Sequence, residues 1–299
     1  MLNLLVVSAI WAASFSLLKT YLVQVPPDCV NAIRLGITLA VFLPFLRWEK
    51  TGALRALELA AIGAVQFGAM YFFYTRSFGM LKAHEAALAT ILTPLYIVLL
   101  EDLLERRLQL PFLSSALLST LGTAISLGVL SAGLKGFSGA STRGLLLIQA
   151  SNLCFAIGQV WYRRALARAP GLGDTEAFAW CALGGAAVAG LAAMPSLAGQ
   201  GLPALGWTQW GVLVYMGAIA SGLCFFLWNA GARKVNAGVL AVMNDLKIPS
   251  AMLVALLFFG ERAAWPRLLG GGAVIALAWW IAWRAQRGTS PRRSSILEG

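Results

Sequence analysis

Apolar positions run through this chain in ten long blocks, at residues 3–23, 28–48, 57–78, 83–103, 111–130, 144–162, 175–194, 207–230, 237–258 and 266–286. A hydrocarbon core roughly 30 Å thick takes about 20 apolar residues per helix, and most blocks match that length. They are continuously apolar rather than alternating. Lipid offers no partner to backbone polar groups, so such blocks predict helices and argue against a β-barrel. The pattern predicts an all-α membrane protein of ten transmembrane helices with no room for a soluble catalytic domain.

Composition agrees. Hydrophobic residues make up 59% of the chain and charged residues 12%, against about 25% charged in soluble domains. The net charge of +11 is topological rather than a nucleic-acid signal. With a cytoplasmic start, Arg47, Lys50, Arg55, Arg106, Arg107, Arg163, Arg164, Arg168, Arg233, Lys234, Arg284, Arg287, Arg292 and Arg293 fall on one side. Lys19, Arg76, Lys82, Lys135, Arg143, Arg262 and Arg267 fall on the other. The two-to-one bias places both termini in the cytoplasm of an inner-membrane protein. Cys29, Cys154, Cys181 and Cys224 are scattered, with no C-x-x-C, and read as packing residues. The start reads as a retained first helix, and residues 287–299 as a disordered cytoplasmic tail.

The loop 131–143 divides the chain into halves of five blocks each, 1–130 and 144–286. Gly68, Tyr71, Phe72, Tyr74 and Ala83 align at constant offset with Gly222, Phe225, Phe226, Trp228 and Ala237. With small slips, Pro94 matches Pro249, and Glu105-Arg106 matches Glu261-Arg262. An odd-numbered unit that begins inside ends outside, so its second copy runs upside down. The expected architecture is two inverted five-helix repeats around a central cavity, a secondary-transporter plan.

The motif Leu92-Thr93-Pro94 with Glu105-Arg106 returns as Ile248-Pro249 with Gly260-Glu261-Arg262. A small-residue-rich helix follows each (Leu121-Gly122-Thr123-Ala124 and Gly270-Gly271-Gly272-Ala273). Over nearly the whole chain this layout resembles the drug/metabolite transporter superfamily, EamA type. Trp11 and His84 resemble the YddG-like aromatic amino-acid exporter branch, which implies substrate-binding roles for both, with His84 at a cavity rim. Leu92-Thr93 departs from that branch, where an aromatic residue is expected before Pro94.

Several polar residues lie inside the blocks. Pro94 and Pro249 are read as helix kinks that release the carbonyls of Thr90 and Asp245. Asp245 and Lys247 are mid-span charges, costly there and on roughly opposite faces. Arg34 is a possible ion partner of Asp245, and Asn244 extends the polar cluster. Phe67, Tyr71, Tyr74 and Phe78 follow one helical face, echoed by Phe225 and Trp228. Asn152, Phe155 and Gln159 share another face, with Ser14 and Ser16 on the first helix as complement. In this reading Tyr71, Tyr74, Phe155 and Trp228 hold an apolar or aromatic side chain. Asn152, Gln159 and Asn244 take a carboxylate, and Thr90 or Asp245 meets an ammonium. Each residue has a plainer alternative as helix packing or interhelical hydrogen bonding. Trp48, Trp161, Trp207, Trp210, Trp265 and Trp283 read as interfacial anchors. The single histidine and scattered cysteines exclude a recognisable metal site, no cofactor is indicated, and no P-loop is present.

The expected function is export of amino acids or similar small metabolites by alternating access. Its rivals are a proton-coupled exporter of hydrophobic cations anchored by Asp245, a membrane-embedded lipid-modifying enzyme, and a sensor without transport. A small-molecule substrate, membrane lipid and protons are the partners in view.

Overall fold

The computed structural model describes residues 2–22, 24–81, 83–128, 141–246 and 265–289. Lys247, Pro249, most of the 131–143 loop and the 290–299 tail lie outside the described residues, as do the side chains of Ser14, Ser16 and His84.

Among the described residues the protein is helical, without strands. The first half contains α1 (Leu2–Tyr21), α2 (Pro27–Phe42), the short α3 (Trp48–Thr51), α4 (Ala53–Gly63), α5 (Met70–Phe78), α6 (Ala83–Thr90), α7 (Thr93–Glu105) and α8 (Leu110–Ser126). The second contains α9 (Thr142–Ala167), α10 (Asp174–Gln200), α11 (Trp207–Val214), α12 (Cys224–Ala232), α13 (Ala237–Asp245) and α14 (Trp265–Thr289). Among the described residues, six segments are long and apolar enough to cross a membrane: Pro27–Phe45, Ala53–Phe78, Thr142–Ala167, Asp174–Gly199, Trp207–Ala232 and Trp265–Gln286.

Two of these segments change helical type midway. A π-helical stretch, Ala64–Ala69, joins α4 to α5, and another, Tyr215–Leu223, joins α11 to α12. They overlap at the offset that pairs Gly68 with Gly222. A π turn widens the ladder and shifts the facing of everything after it. It therefore splits the single aromatic face expected of the third block. Phe67 packs inward on Phe178 and Phe225, with ring centroids 5.6 and 4.8 Å away, whereas Tyr71 and Tyr74 face a cavity.

The fourth block is broken rather than kinked. Residues 91–92 form a turn between α6 and α7, and Pro94 sits in the first turn of α7. An N–H is not needed there, so proline is tolerated.

Small residues draw the helices together. A side chain on Gly184 would strike the backbone of Ala60, and one on Gly63 the backbone of Cys181, so α4 and α10 touch backbone to backbone. A Cβ on Gly122 would lie 2.7 Å from the Gly271 carbonyl oxygen, so α8 and α14 are equally close. Elsewhere α2 packs on α10 and on the second π-helical stretch, α9 on α5 and α7, and α1 on α12. The cavity lies among α1, α2, α5, α6, α7, α9 and the α11–α12 segment.

Candidate functional site

The cavity contains about 740 Å³ of space free of protein atoms, part of it open to the exterior. Its described lining includes the aromatic residues Trp11, Tyr71, Tyr74, Phe155 and Phe225 and the polar residues Arg34, Thr90, Thr93, Ser151 and Asn152. The lining suits a small ligand with a flat or cyclic apolar body and a few polar groups.

Trp11 is the hub of the aromatic wall. Its ring lies 4.8 Å from Phe225, 5.2 Å from Trp228 and 6.4 Å from Phe155. Its Nε1–H donates to the Ala220 carbonyl at 2.8 Å, inside the second π-helical stretch. Thr38 Oγ1 donates to the Gly217 carbonyl of the same stretch at 2.7 Å. These carbonyls thus fix the indole of α1 and the position of α2.

A polar stripe on α2 faces α5. Arg76 grips Asp28 through two bonds of 2.7 and 2.8 Å. Asn31 Nδ2 donates to the Tyr71 carbonyl at 3.2 Å and to Thr75 Oγ1 at 2.9 Å. Arg34, 4% exposed, lies with its guanidinium carbon 4.2 Å from the Tyr71 ring centroid. Arg34 Nε donates to Ser221 Oγ, which is 3.2 Å from the Tyr71 hydroxyl.

Across the cavity, the break in the fourth block exposes carbonyls. The Ala89 carbonyl accepts from Gln149 Nε2 and Asn152 Nδ2, both at 2.9 Å. Asn152 Nδ2 also approaches Gln149 Oε1 at 3.3 Å. The donation to a carbonyl fixes the orientation of the Asn152 amide and turns Oδ1 away from that bond.

Beyond the aromatic wall the interior is shut. Gln66 and Asn229 exchange two amide hydrogen bonds, at 2.9 and 3.2 Å. Gln159 Nε2 reaches Asn229 Oδ1 at 3.4 Å, and Trp228 Nε1 donates to Gln159 Oε1. All four side chains are fully buried.

Further along α9, and on the ends of α7 and α12, the described ion pairs concentrate. Glu101 is held by Arg163 at 2.7 Å and Arg164 at 3.0 Å. Arg163 also donates to the Val235 carbonyl at 2.8 Å. Asp174 pairs with Arg233 at 2.6 Å, and Glu58 with Arg168. At the other end of the bundle, the described ion pair is Asp28–Arg76.

The structure brings together Trp11, Tyr71, Tyr74, Thr90, Asn152 and Phe155 in the cavity wall. Gln159 and Trp228 lie behind that wall, in the amide cluster. Asn244 and Asp245 are fully buried outside the described lining, where Ser119 Oγ donates to Asp245 Oδ2 at 2.8 Å. Arg34 therefore does not pair with Asp245: it bonds Ser221 and covers Tyr71. The Thr90 carbonyl is not released by Pro94 either, because Thr93 Oγ1 donates to it at 2.8 Å. Ser14 and His84 have no described side chain, and Pro249 is outside the described residues. Arg34, Met70, Thr93 and Ser151 are lining residues that the sequence reading did not assign to the cavity. The i, i+3, i+6 spacing of Asp28, Asn31 and Arg34 was the available signal for Arg34.

Several known proteins are similar to this chain in sequence. A "Probable biotin transporter" of Pseudomonas aeruginosa is 40% identical over 282 residues, covering 93% of this chain and 96% of the relative. A "Biotin transporter" of Salmonella typhimurium is 38% identical over 292 residues, covering 95% and 94%. The "Aromatic amino acid exporter YddG" of Ancylobacter novellus is 29% identical over 215 residues, covering 69% and 71%. One solved crystal structure superposes with a TM-score of 0.73 at 22% identity, covering 96% of this chain and 97% of its own. The profile of the EamA-like transporter family matches residues 1–128 and 142–283. An apolar helical bundle with a polar-spotted interior cavity and that match lead to one conclusion: this chain belongs to the EamA-like transporter family and is a membrane transporter, not an enzyme.

Proposed function

We propose that this transporter carries biotin across the inner membrane through the aromatic-walled cavity. The carrying observation is end-to-end similarity, at 38–40% identity, to proteins named as biotin transporters. The cavity's chemistry supports the same reading. Biotin is a compact bicycle with a neutral ureido edge and an acidic tail. Trp11, Phe155 and Phe225 offer flat apolar surface for the bicycle, and Asn152 Oδ1 offers an acceptor for a ureido N–H.

Transport proceeds by alternating access between two inverted five-helix repeats, with ten spans and both termini cytoplasmic. The overlapping π-helical stretches and the two matched segments, 1–128 and 142–283, support the repeat. The two-to-one arginine and lysine bias supports the orientation.

Export of an aromatic amino acid is the second reading, supported by the YddG relative and by the same aromatic wall. The hydrophobic-cation reading lacks support in the cavity, since no Asp or Glu is among its described lining residues.

The test is flux of radiolabelled biotin into proteoliposomes carrying the full chain. Biotin should equilibrate faster than in protein-free liposomes. Phe155→Ala should weaken apparent affinity about tenfold, the effect of losing an anchor contact of ~1.4 kcal/mol. Biotin flux no faster than in empty liposomes removes the proposal.

A further inference from the structure

We infer that Arg34 anchors the substrate's carboxylate, and that the cavity selects organic monoanions over zwitterions. This rests on the reading of the cavity as the substrate site and names the class of substrate it takes.

Arg34 is more deeply buried than the arginines that pair with carboxylates. Arg76, Arg163, Arg164, Arg168 and Arg233 each have one within 4 Å, and their side chains are 19–63% exposed. Arg34 is 4% exposed and has no Asp or Glu in that range among the described residues. A cation removed from water without a counter-charge is costly in a membrane interior, and such residues mark ligand paths. The single hydrogen bond described for Arg34 uses Nε, so the edge formed by Nη1 and Nη2 is available. That edge matches a carboxylate bidentately.

The guanidinium is also held still. Ser221 fixes its Nε side and Tyr71 covers one face. Ser221 and the Tyr71 hydroxyl are themselves 3.2 Å apart, so the three groups form one rigid unit at the cavity wall. A ligand acid can approach in the guanidinium plane, from the cavity.

Selectivity follows from the charges in the described wall. An α-amino acid carries its ammonium one carbon from its carboxylate. Bound at Arg34, that ammonium would lie near the guanidinium, and no acid in the described lining offsets it. An acid on an uncharged body, such as biotin or an arylalkanoate, meets no such repulsion.

The test uses the purified full chain in nanodiscs and three ligand pairs: biotin with its primary amide, lipoate with lipoamide, and indole-3-propionate with tryptophan. Wild type should bind at least one acid on the order of tenfold tighter than its amide, as for a charge-assisted pair. It should also prefer indole-3-propionate to tryptophan. Arg34→Gln should abolish the acid preference while keeping affinity for the amide, which also shows that the variant is folded. Arg34→Lys, which keeps the charge but not the two-pronged edge, should reduce that preference. Equal binding of acid and amide by wild type, or an unchanged preference in either variant, overturns the inference. If biotin fails to bind while another acid shows an Arg34-dependent preference, the biotin assignment falls and the anchor stands. If wild type and Arg34→Gln move biotin equally well, the anchor falls and the biotin assignment stands.

Discussion

Gln66 and Asn229 show how a polar group survives in the middle of an apolar bundle. Each amide satisfies the other, and Gln159 and Trp228 complete the set. Asn229→Leu leaves Gln66 with unmet bonds and should cost about 1–3 kcal/mol, read by thermal unfolding in detergent. Joint replacement with Gln66→Leu should cost less than the sum of the single changes, because no orphaned amide remains. At this scale the sequence was partly legible. Residue type and helical facing brought Tyr71, Tyr74, Asn152 and Phe155 into view, and the family resemblance brought Trp11. Facing alone could not tell a cavity wall from the cluster behind it, so Gln159 and Trp228 looked equivalent to their neighbours. Arg34 and Asp245 were matched by charge, but burial favours local satisfaction over distant pairing. Ser221 and Ser119, neither conspicuous in the sequence, supply the observed bonds.

Helices were the legible elements, because a bilayer imposes both their length and their apolar composition. Their interruptions were legible only in part. The break at residues 91–92 lies where Pro94 was read as a kink, whereas the bond from Thr93 Oγ1 to the Thr90 carbonyl leaves no trace in a hydropathy pattern. The π-helical stretches, which carry Gln66 and Ser221, change which carbonyl each N–H reaches, and the apolar pattern does not record that change. The small-residue-rich helices after the repeated motif were legible, and the contact of α8 with α14 shows the use of their glycines. Gly122→Val would drive its side chain into the Gly271 carbonyl and Ile275, both 2.7 Å from the new Cβ. Such overpacking should cost about 1–3 kcal/mol and lower the melting temperature in detergent. The same change at Gly190, where nothing lies within 4 Å of a Cβ, should have little effect.

Across the whole molecule, polar attachments are distributed unevenly. Six of the seven described ion pairs lie at the end containing Glu58, Glu101, Asp174 and Glu176. Glu101 holds α7 to the end of α9 and, through Arg163, to the turn before α13. Glu101→Gln should leave two arginines without their shared partner. Faster hydrogen–deuterium exchange is expected at residues 160–168 and 230–236, with little change around Asp28 and Arg76. Aligned residues suggested two halves in the sequence, but this asymmetry was not visible there, since it depends on which side chains meet. It bears on the working cycle. Among the described residues, separating the ion-paired end requires several charges to be rehydrated together, whereas one pair parts at the Asp28–Arg76 end. Under the proposed alternating access, the densely bonded end is expected to stay closed at rest. Solute on one side finds a ready vestibule, while solute on the opposite side waits for a rarer event. An uncoupled carrier built this way would reach the same final concentrations from either direction but at unequal maximal rates, and saturating flux in vesicles sorted by protein orientation would show that difference.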